Sequence, residues 1–437
     1  MPDLPPGHQI ESAPRGRRAR PSTRRAVAMT AAMNVAMAGS ASIAGLLIAR
    51  QLGPTGRGEY AAVLAWFGVA LVVGELGQPA ALCYFVASDG PRGRDYVATT
   101  RRLMLVTGSV IAAIGWALAP VLARQDNTLT TAYRLMFATC ILSFVGSSYL
   151  FALQARTITY WNAARLVQPA LYLAVTMALA LIGVLSVLAA LLSLVGTIFV
   201  QVVVAWVLCR RVDLHGGRFD RRLAQPLLRY GGSQIAANAP MAVNTRLDQV
   251  ILAAYAPYQL LGLYAVAVSI TSLALPVVAA IGYVVFPRIA ERRGDSTVIL
   301  QRQAVRASLI LSAGLMIVIA ALTPWALPTL FGRAYAQAVP LVWVLCVGGV
   351  FLASGQVIGD LLRGRGQPLL VAVAQVVGMI CTVVLLLALL PLLGALGAAI
   401  ASTVAYVTTF VVLVAALRRP GRTSLDRQIP LSTNDVL

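Results

Sequence analysis

The sequence is short of charge, of histidine and of paired cysteine, and it contains no lysine at all. Only 11% of its 437 residues are charged whereas 59% are hydrophobic, which excludes an ordinary soluble domain and is typical of a polytopic membrane protein. Both histidines lie in polar segments, so a histidine-based catalytic or metal site is not expected. The five cysteines lie in or at the ends of apolar runs without CxxC spacing, so we expect neither disulfides nor bound metal.

All 35 basic residues are arginine, and the net charge is +20 with a pI of about 10.8. A chain this basic raises the question of a nucleic-acid partner. The arginines, however, are concentrated in the two tails and in every second loop between the apolar runs. That alternation is the positive-inside pattern of membrane proteins, and it predicts that both termini are cytoplasmic. We therefore expect no nucleic-acid partner.

Twelve apolar runs are each close to the roughly 20 residues that a helix needs to cross a bilayer. They predict an all-α polytopic membrane protein with 12 transmembrane helices in two six-helix bundles. The predicted spans are 26–49, 60–87, 102–123, 133–154, 164–185, 187–208, 230–255, 260–287, 303–325, 335–360, 368–390 and 393–417. The predicted organisation is a disordered basic cytoplasmic tail (1–25), an N-terminal bundle (26–208), a cytoplasmic linker (209–229), a C-terminal bundle (230–417) and a second cytoplasmic tail (418–437).

The two halves of the chain repeat each other. The run Gly58–Ala61 matches Gly262–Ala265 at an offset of 204, and Asn34–Met37 matches Asn238–Met241 at the same offset. Six crossings per repeat is an even number, so the two halves have the same orientation. The sequence therefore predicts two bundles related by pseudo-symmetry about an axis along the membrane normal.

The seventh span is the most polar one. One stripe of this helix carries Gln234, Asn238, Thr245 and Asp248, and lipid would reject such a stripe. Arg246 points away from the stripe, so the two charges need not form a simple pair. A charge at mid-span costs about 2.5–3.5 kcal/mol on insertion scales and marks a functional site by default. Gly231-Gly232 and Pro240 interrupt the same helix, as in transporter helices that are broken at a binding site.

Two segments resemble a known family. The stretches Ala49–Tyr60 (ARQLGPTGRGEY) and Asn244–Tyr264 (NTRLDQVILAAYAPYQLLGLY) resemble the first outer turn and the seventh helix of bacterial polysaccharide flippases. These are the Wzx-type exporters of lipid-linked oligosaccharides, in the multidrug/oligosaccharidyl-lipid/polysaccharide (MOP) superfamily. The resemblance implies a MATE/MOP-like fold with a central cavity that opens alternately to the two sides. It also implies a polyprenyl-diphosphate-linked glycan as substrate and a place in the bacterial inner membrane.

Arg246 is the first candidate site residue. A guanidinium binds phosphate oxygens through parallel hydrogen bonds and keeps its charge when it is desolvated, so we expect Arg246 to bind the diphosphate of the lipid carrier. The alternative is a structural ion pair with Asp248 or Glu75, or a side chain that reaches toward the outer face.

The other candidates form three groups. Amides and a hydroxyl suited to sugars complete the substrate-binding set, with polar contacts between helices as the alternative; they are Asn238, Asn34, Thr245, Gln234 and Asn244. A coupling or gating role, with H+ or Na+ as the ion, is assigned to Asp248 and Glu75, and the alternative is a fixed hydrogen bond inside the protein. The outer rim is assigned to Arg50 and Arg57.

The predicted function is translocation of the lipid-linked oligosaccharide by alternating access for cell-surface polysaccharide biosynthesis. We expect a monomer with membrane lipids around it, no cofactor and no enzymatic step. A MATE-like drug or cation antiporter is the first alternative and would need a cavity dominated by acidic groups. A polyprenyl-dependent glycosyltransferase or polymerase is the second and would need catalytic groups on a sizeable outer loop. A non-transporting scaffold would have its cavity closed by large apolar side chains.

Overall fold

A computed structural model describes residues 23–281 and 295–418. Most of both predicted tails and the end of the predicted span 260–287 lie outside these residues. The described residues are helical with short turns and contain no strand. The α-helices are α1 (Thr23–Gly74), α2 (Gln78–Ser88), α3 (Gly93–Leu122), α4 (Asn127–Arg156), α5 (Ile158–Leu181), α6 (Val187–Arg211), α7 (Arg221–Tyr255), α8 (Tyr258–Thr271), α9 (Asp295–Ala326), α10 (Val339–Gly364) and α11 (Pro368–Arg418).

Two of these elements, α1 and α11, are of double length. Each consists of two helices joined by a sharp turn at a glycine. Gly53 has a φ of 66° within α1, and Gly394 has a φ of 56° within α11. This left-handed backbone costs glycine little, since it has no Cβ. Each helix therefore supplies two crossings, and the second crossing continues from α1 into α2. The fold is the predicted arrangement of 12 transmembrane helices in two pseudo-symmetric bundles.

Nine helical segments of the described residues are long and apolar enough to cross a membrane. They include both double-length helices but not α7, whose polar and charged residues lower its hydropathy. Side-chain caps fix several helix starts. Asp126 accepts a hydrogen bond from the amide of Leu129 at 2.7 Å, and Asp220 accepts one from the amide of Arg222 at 2.8 Å. The second cap sets the start of α7 at Arg221, inside the segment predicted as a linker.

The buried core shows how the two halves meet. At the end of the molecule where α1 turns at Gly53 and α7 leads into α8, one apolar core contains residues of both halves, including Tyr60, Leu129, Leu252 and Tyr264. At the opposite end the halves have separate cores. We call these the closed end and the open end. Among the described residues, the two bundles thus share a core at the closed end and have separate cores at the open end.

Candidate functional site

The closed end is held by two glycines at equivalent positions of the halves. A Cβ at Gly58 would lie well inside 3.0 Å of the carbonyl oxygen of Tyr258, and a Cβ at Gly262 would do the same at the carbonyl oxygen of Pro54. Gly58 and Gly262 are 204 residues apart, and so are Pro54 and Tyr258. The two contacts are therefore copies of each other about the pseudo-symmetry axis. We call this pair the glycine clasp; only a residue without a Cβ allows the backbones to approach so closely.

Polar contacts with backbone carbonyls reinforce the closed end. Arg124, in the turn between α3 and α4, donates from Nη2 to the carbonyls of Ala253 and Ala256 at 2.9 and 2.6 Å. These carbonyls belong to the last turn of α7, where a cation is favourable. The hydroxyl of Tyr335 donates to the carbonyl of Ala49 at 3.0 Å. Arg124 and Tyr335 could not be identified from the sequence, because a backbone partner leaves no signal in the side-chain pattern.

Helix α7 changes its surroundings along its length. Its first turns belong to the core of the N-terminal half, where Leu223 and Leu227 are buried. Gly231 is packed against Gly77, since a Cβ on Gly77 would overlap the Gly231 carbonyl. From Asn244 onward the helix is instead hydrogen-bonded within the C-terminal half. The helix therefore passes from one bundle into the other, and its middle lies where the bundles face each other.

Arg246 lies on that middle stretch. Its side chain is exposed, and its Nε would be 3.7 Å from a Cβ placed on Gly68 of the opposite half. Within the described residues no carboxylate oxygen lies within 4.0 Å of its charged nitrogens. Gly68 is ten residues along α1 from Gly58, which corresponds to about 15 Å at about 1.5 Å per residue. Arg246 therefore lies about 15 Å along α1 from the glycine clasp, a distance of about half a hydrocarbon layer about 30 Å thick.

Asp248 points into the C-terminal half, away from Arg246. It is 2% exposed and accepts a hydrogen bond from the hydroxyl of Tyr264 and another from the amide of Gln249 at 2.7 Å. The hydroxyl of Ser402 lies 3.5 Å from the same carboxylate. The prediction that the two charges need not pair agrees with this geometry. In the conformation described, the carboxylate connects α7 to α8 and α11.

The Asp248 network predicts a stability difference between two equivalent tyrosines. Tyr264→Phe removes the side-chain donor to the buried carboxylate and leaves it the Gln249 amide and the more distant Ser402 hydroxyl. A hydrogen bond to a charged group has a net value of about 1.5–3 kcal/mol. Tyr60→Phe, at the equivalent position, removes only the 2.8 Å bond between Tyr60 and Tyr172, a neutral pair with a net value of about 0.5–1.5 kcal/mol. We expect the larger fall in thermal unfolding temperature in detergent for Tyr264→Phe. Equal falls for the two variants would contradict a special role of the carboxylate.

Asn244 and Thr245 border a pocket inside the C-terminal half. Asn244 is buried, with its Nδ2 3.4 Å from Gln375 Oε1 and its Oδ1 3.3 Å from Thr382 Oγ1. Thr245 is exposed. The pocket lies between α7, α10 and α11 and encloses about 400 Å³, part of it continuous with the surface. Aromatic rings and polar groups share its lining, the latter including Asn244, Thr245, Gln356, Gln375, Tyr406 and Thr409.

The remaining polar candidates on the helices are spread over both halves. Glu75 lies at the break between α1 and α2 and accepts a 2.6 Å hydrogen bond from Ser147, inside the N-terminal half. Asn34 is partly buried, and its Oδ1 has no hydrogen-bond partner among the described residues. Gln234 is partly buried on α7. Asn238 lies on the same helix, and its side chain is outside the described part of the structure.

The two arginines assigned to the outer rim lie at different depths. Arg50 is exposed at the closed end and lies 3.4 Å from the carbonyl of Leu330. Arg57 is turned inward. Its guanidinium lies 3.5 Å from the hydroxyl of Ser269 in the other half and contacts the ring of Tyr60, while its Nε has no partner in the described structure. Arg57 is thus a second cation between the halves, placed just below the glycine clasp.

Solved structures define the class of protein to which this fold belongs. The chain superposes on an inward-facing multidrug resistance MATE family transporter of the MOP superfamily with a TM-score of 0.73 and 14% identity, over 88% of this chain and 94% of that one. The lipid II flippase MurJ in an inward closed conformation gives a TM-score of 0.73 and 10% identity, over 90% and 88% of the two chains. The fold is therefore that of MATE and MOP membrane transporters, as predicted.

The family follows from the sequence itself. Residues 24–292, more than half of the chain, match the family model described as polysaccharide biosynthesis protein, and the protein belongs to that family. A comparison with curated proteins finds no match. The expected family and the expected fold are both confirmed: the chain is a member of the polysaccharide biosynthesis family with the fold of the MATE and MurJ structures. Its many long apolar helices indicate a multi-pass membrane protein.

The comparisons also distinguish two conformations of this fold. An outward-facing MATE family transporter of the MOP superfamily gives a TM-score of 0.58 at 14% identity, over 90% of this chain and 96% of that one. The value is lower than the 0.73 obtained with the inward-facing structure.

Proposed function

We propose that the protein translocates a polyprenyl-diphosphate-linked oligosaccharide across the bacterial inner membrane by alternating access, for cell-surface polysaccharide biosynthesis. The observation that carries the proposal is Arg246. It is an exposed guanidinium beside Gly68 of the opposite half, and it has no carboxylate partner among the described residues. A cation in that position costs free energy unless an anion approaches it. A diphosphate in the substrate supplies such an anion and matches the planar fork of the guanidinium.

The closed end faces the outside in this proposal, and the open end faces the cytoplasm with both termini. The supporting observation is the distribution of charge. Few described arginines lie in the loops and turns of the closed end: Arg50, Arg57, Arg124, Arg134 and Arg333. Many more surround the open end, among them Arg92, Arg94, Arg101, Arg102, Arg156, Arg210, Arg211, Arg218, Arg221, Arg222, Arg229, Arg302, Arg306, Arg363 and Arg365. That asymmetry favours a cytoplasmic open end.

In the space between the halves, charged and polar side chains would bind different parts of the substrate. The diphosphate lies at Arg246, and Arg57 offers a second cation on the path toward the outer side. Sugar hydroxyls are proposed to bind Asn34, which is partly buried, and Thr245, which is an exposed residue. Gln234, Asn238 and Asn244 complete the proposed sugar-binding set. The prenyl tail remains in lipid, since its burial in the polar cavity would be unfavourable.

Translocation then requires the closed end to open and the open end to close. The bundles separate at the glycine clasp, and the Arg124 and Tyr335 contacts with backbone carbonyls break at the same time. No covalent bond changes, so the proposal includes no enzymatic step and no cofactor. A drug or cation antiporter fits less well, because the ionic group exposed at the centre is a cation rather than an acid.

Deletion of the gene in its host tests the proposal. A polyprenyl-diphosphate-linked glycan is expected to accumulate in the cytoplasmic leaflet, where lipid extraction and mass spectrometry identify its sugars. A reintroduced wild-type gene is expected to restore export. A gene with Arg246→Ala, expressed to the same level in the membrane, is not. An unchanged lipid-linked glycan pool together with an increased cellular content of a cationic drug would instead support the antiporter.

Glu75 and Asp248 are proposed to couple transport to H+ or Na+. Glu75→Gln and Asp248→Asn preserve the size of each side chain and the ability to accept a hydrogen bond, but they remove the charge. In proteoliposomes we expect an imposed proton or sodium gradient to accelerate wild-type flipping, and we expect at least one of the two variants to lose this response. A wild-type rate that is the same with and without both gradients would exclude coupling.

A further inference from the structure

A basic pocket lies at the surface of the N-terminal half, at the open end. It is formed by the first turns of α3, the end of α4 and the segment 212–220 that leads from α6 to α7, which we call the strap. The pocket is a small groove that is partly open to the surroundings. Its polar lining consists of Arg94, Arg101, Tyr149 and His215, with the glycines 216 and 217 along one side. It takes no part in the function proposed above.

The strap is fixed to α3 without any ligand. Gly217 is packed against the backbone of Arg94, where a Cβ would overlap the carbonyl group. The amide of Arg218 donates to the carboxylate of Asp95 at 2.8 Å, and the amide of Asp220 donates to the hydroxyl of Thr99 at 3.1 Å. Because three points along the strap are held, the wall of the pocket is preformed. A ligand binding there would lose little free energy to ordering the protein.

The charge of the pocket selects an anion. Arg101 donates from Nη1 to the hydroxyl of Tyr149 at 3.0 Å, which orients a guanidinium that has five N–H donors in all. Arg94 is paired with Asp213 on the strap, so one carboxylate already balances one of the two lining arginines. Arg101 has no carboxylate within 4.0 Å in the described structure. Further arginines lie in or next to these segments in the sequence, namely Arg92, Arg102, Arg218 and Arg222.

The surroundings favour a lipid over a soluble anion. Leu105 follows Arg94 and Arg101 on the same stripe of α3, and its side chain is 45% exposed. Val106 and Val110 continue this exposed apolar surface away from the pocket. On the other side His215 packs edge-on against Trp206, and amphipathic aromatic rings of this kind are typical of the membrane interface. A phosphate in the pocket would therefore have acyl-chain surface directly beside it.

We propose that this pocket binds the phosphate of an anionic phospholipid headgroup, with the acyl chains along the exposed face of α3. Basic pockets at the cytoplasmic side of membrane helices bind such headgroups in other membrane proteins. The bound lipid would bridge α3, α4 and the strap, and so would hold the start of α7 in the N-terminal half.

Lipid titration of the purified full-length protein tests the proposal. Native mass spectrometry in neutral detergent would measure binding of phosphatidylglycerol and of phosphatidylcholine. We expect tighter binding of phosphatidylglycerol, and a loss of at least about tenfold in that affinity in Arg101→Gln, since a charge-assisted contact is removed. Arg306→Gln removes the same charge from an exposed position on α9, outside the pocket, and is expected to leave the affinity unchanged.

Three results would overturn the proposal. Equal losses in Arg101→Gln and Arg306→Gln would indicate diffuse attraction of anionic lipid to the whole basic surface. Unchanged binding in Arg101→Gln would remove the pocket from consideration, and displacement of phosphatidylglycerol by an equal concentration of inorganic phosphate would indicate a site for a soluble anion. If Arg101→Gln unfolds, Arg101→Lys takes its place, because it keeps the charge but not the planar fork. Its affinity for phosphatidylglycerol is expected to be several-fold weaker. An unchanged affinity in Arg101→Lys would again count against the site.

Discussion

Replacing Arg246 by alanine is expected to reduce glycan export at least about tenfold while the protein remains folded in the membrane. The guanidinium makes no ion pair in the described structure, and its side chain is exposed, so its removal leaves no buried carboxylate unsatisfied. Stability should therefore change little. What is lost is the charge-assisted contact with the diphosphate, and such contacts have net values of about 1.5–3 kcal/mol, or roughly 10- to 150-fold in affinity.

Flipping of a purified lipid-linked oligosaccharide in proteoliposomes measures this effect directly. Arg246→Lys keeps the charge at the same place but loses the bidentate geometry, so partial activity is expected. Arg302→Ala is the matched control, because it removes an exposed arginine from the open end of α9, far along the chain from the centre of α7. Normal flipping by Arg246→Ala at normal protein levels would refute the proposed diphosphate site, whatever the substrate.

Gly58→Ala is expected to prevent the closed end from closing and to stop transport at that step. The new Cβ would overlap the carbonyl oxygen of Tyr258, which is backbone and cannot move aside as a flexible side chain would. Overpacking of this kind costs about 1–3 kcal/mol, enough to shift the balance of two conformations by roughly 5- to 150-fold. Gly262→Ala should have the same effect, because it meets the equivalent carbonyl of Pro54. Gly39→Ala and Gly314→Ala are controls whose Cβ meets nothing within 4 Å.

Accessibility from the closed end reports the conformation independently of transport. Ser269 lies between the halves below the clasp and is exposed to that space. A single cysteine at position 269, in a chain whose five cysteines are replaced, should react faster with a membrane-impermeant maleimide from the outside in the clasp variants than in the parent. Equal labelling rates would mean that the glycine clasp does not control opening.

The fold could be predicted from the sequence because its determinants are local. The apolar runs and the alternation of arginines between loops specify the number of crossings, and the offset of 204 between Gly58 and Gly262 specifies the repeat. Helix geometry was also enough to separate Arg246 from Asp248, since residues two apart on a helix point in different directions. In the structure one of these side chains is exposed between the halves, and the other is buried in the C-terminal half.

The composition of the site could not be predicted in the same way. Helical periodicity gives the angle of a residue about its own helix, but it does not say which neighbour lies there. Asp248 is predicted on a stripe facing a cavity or protein, and Asn244 is predicted to bind substrate. Only the packing of α7 against α8 and α11 shows that both are hydrogen-bonded inside the C-terminal half. Arg57 belongs to a turn by sequence, yet its long side chain reaches Ser269 of the opposite half.

The course of α7 has a consequence for the assembly of the chain. Leu223 and Leu227 complete the core of the first repeat, although in sequence they precede the crossing that opens the second. The first repeat therefore takes part of its core from the helix that opens the second repeat. Cutting the backbone near Gly216 would give two fragments, the second of which carries a helix that the first needs. Co-expressed fragments should associate through this helix, whereas the first fragment alone would expose the groove that it leaves empty.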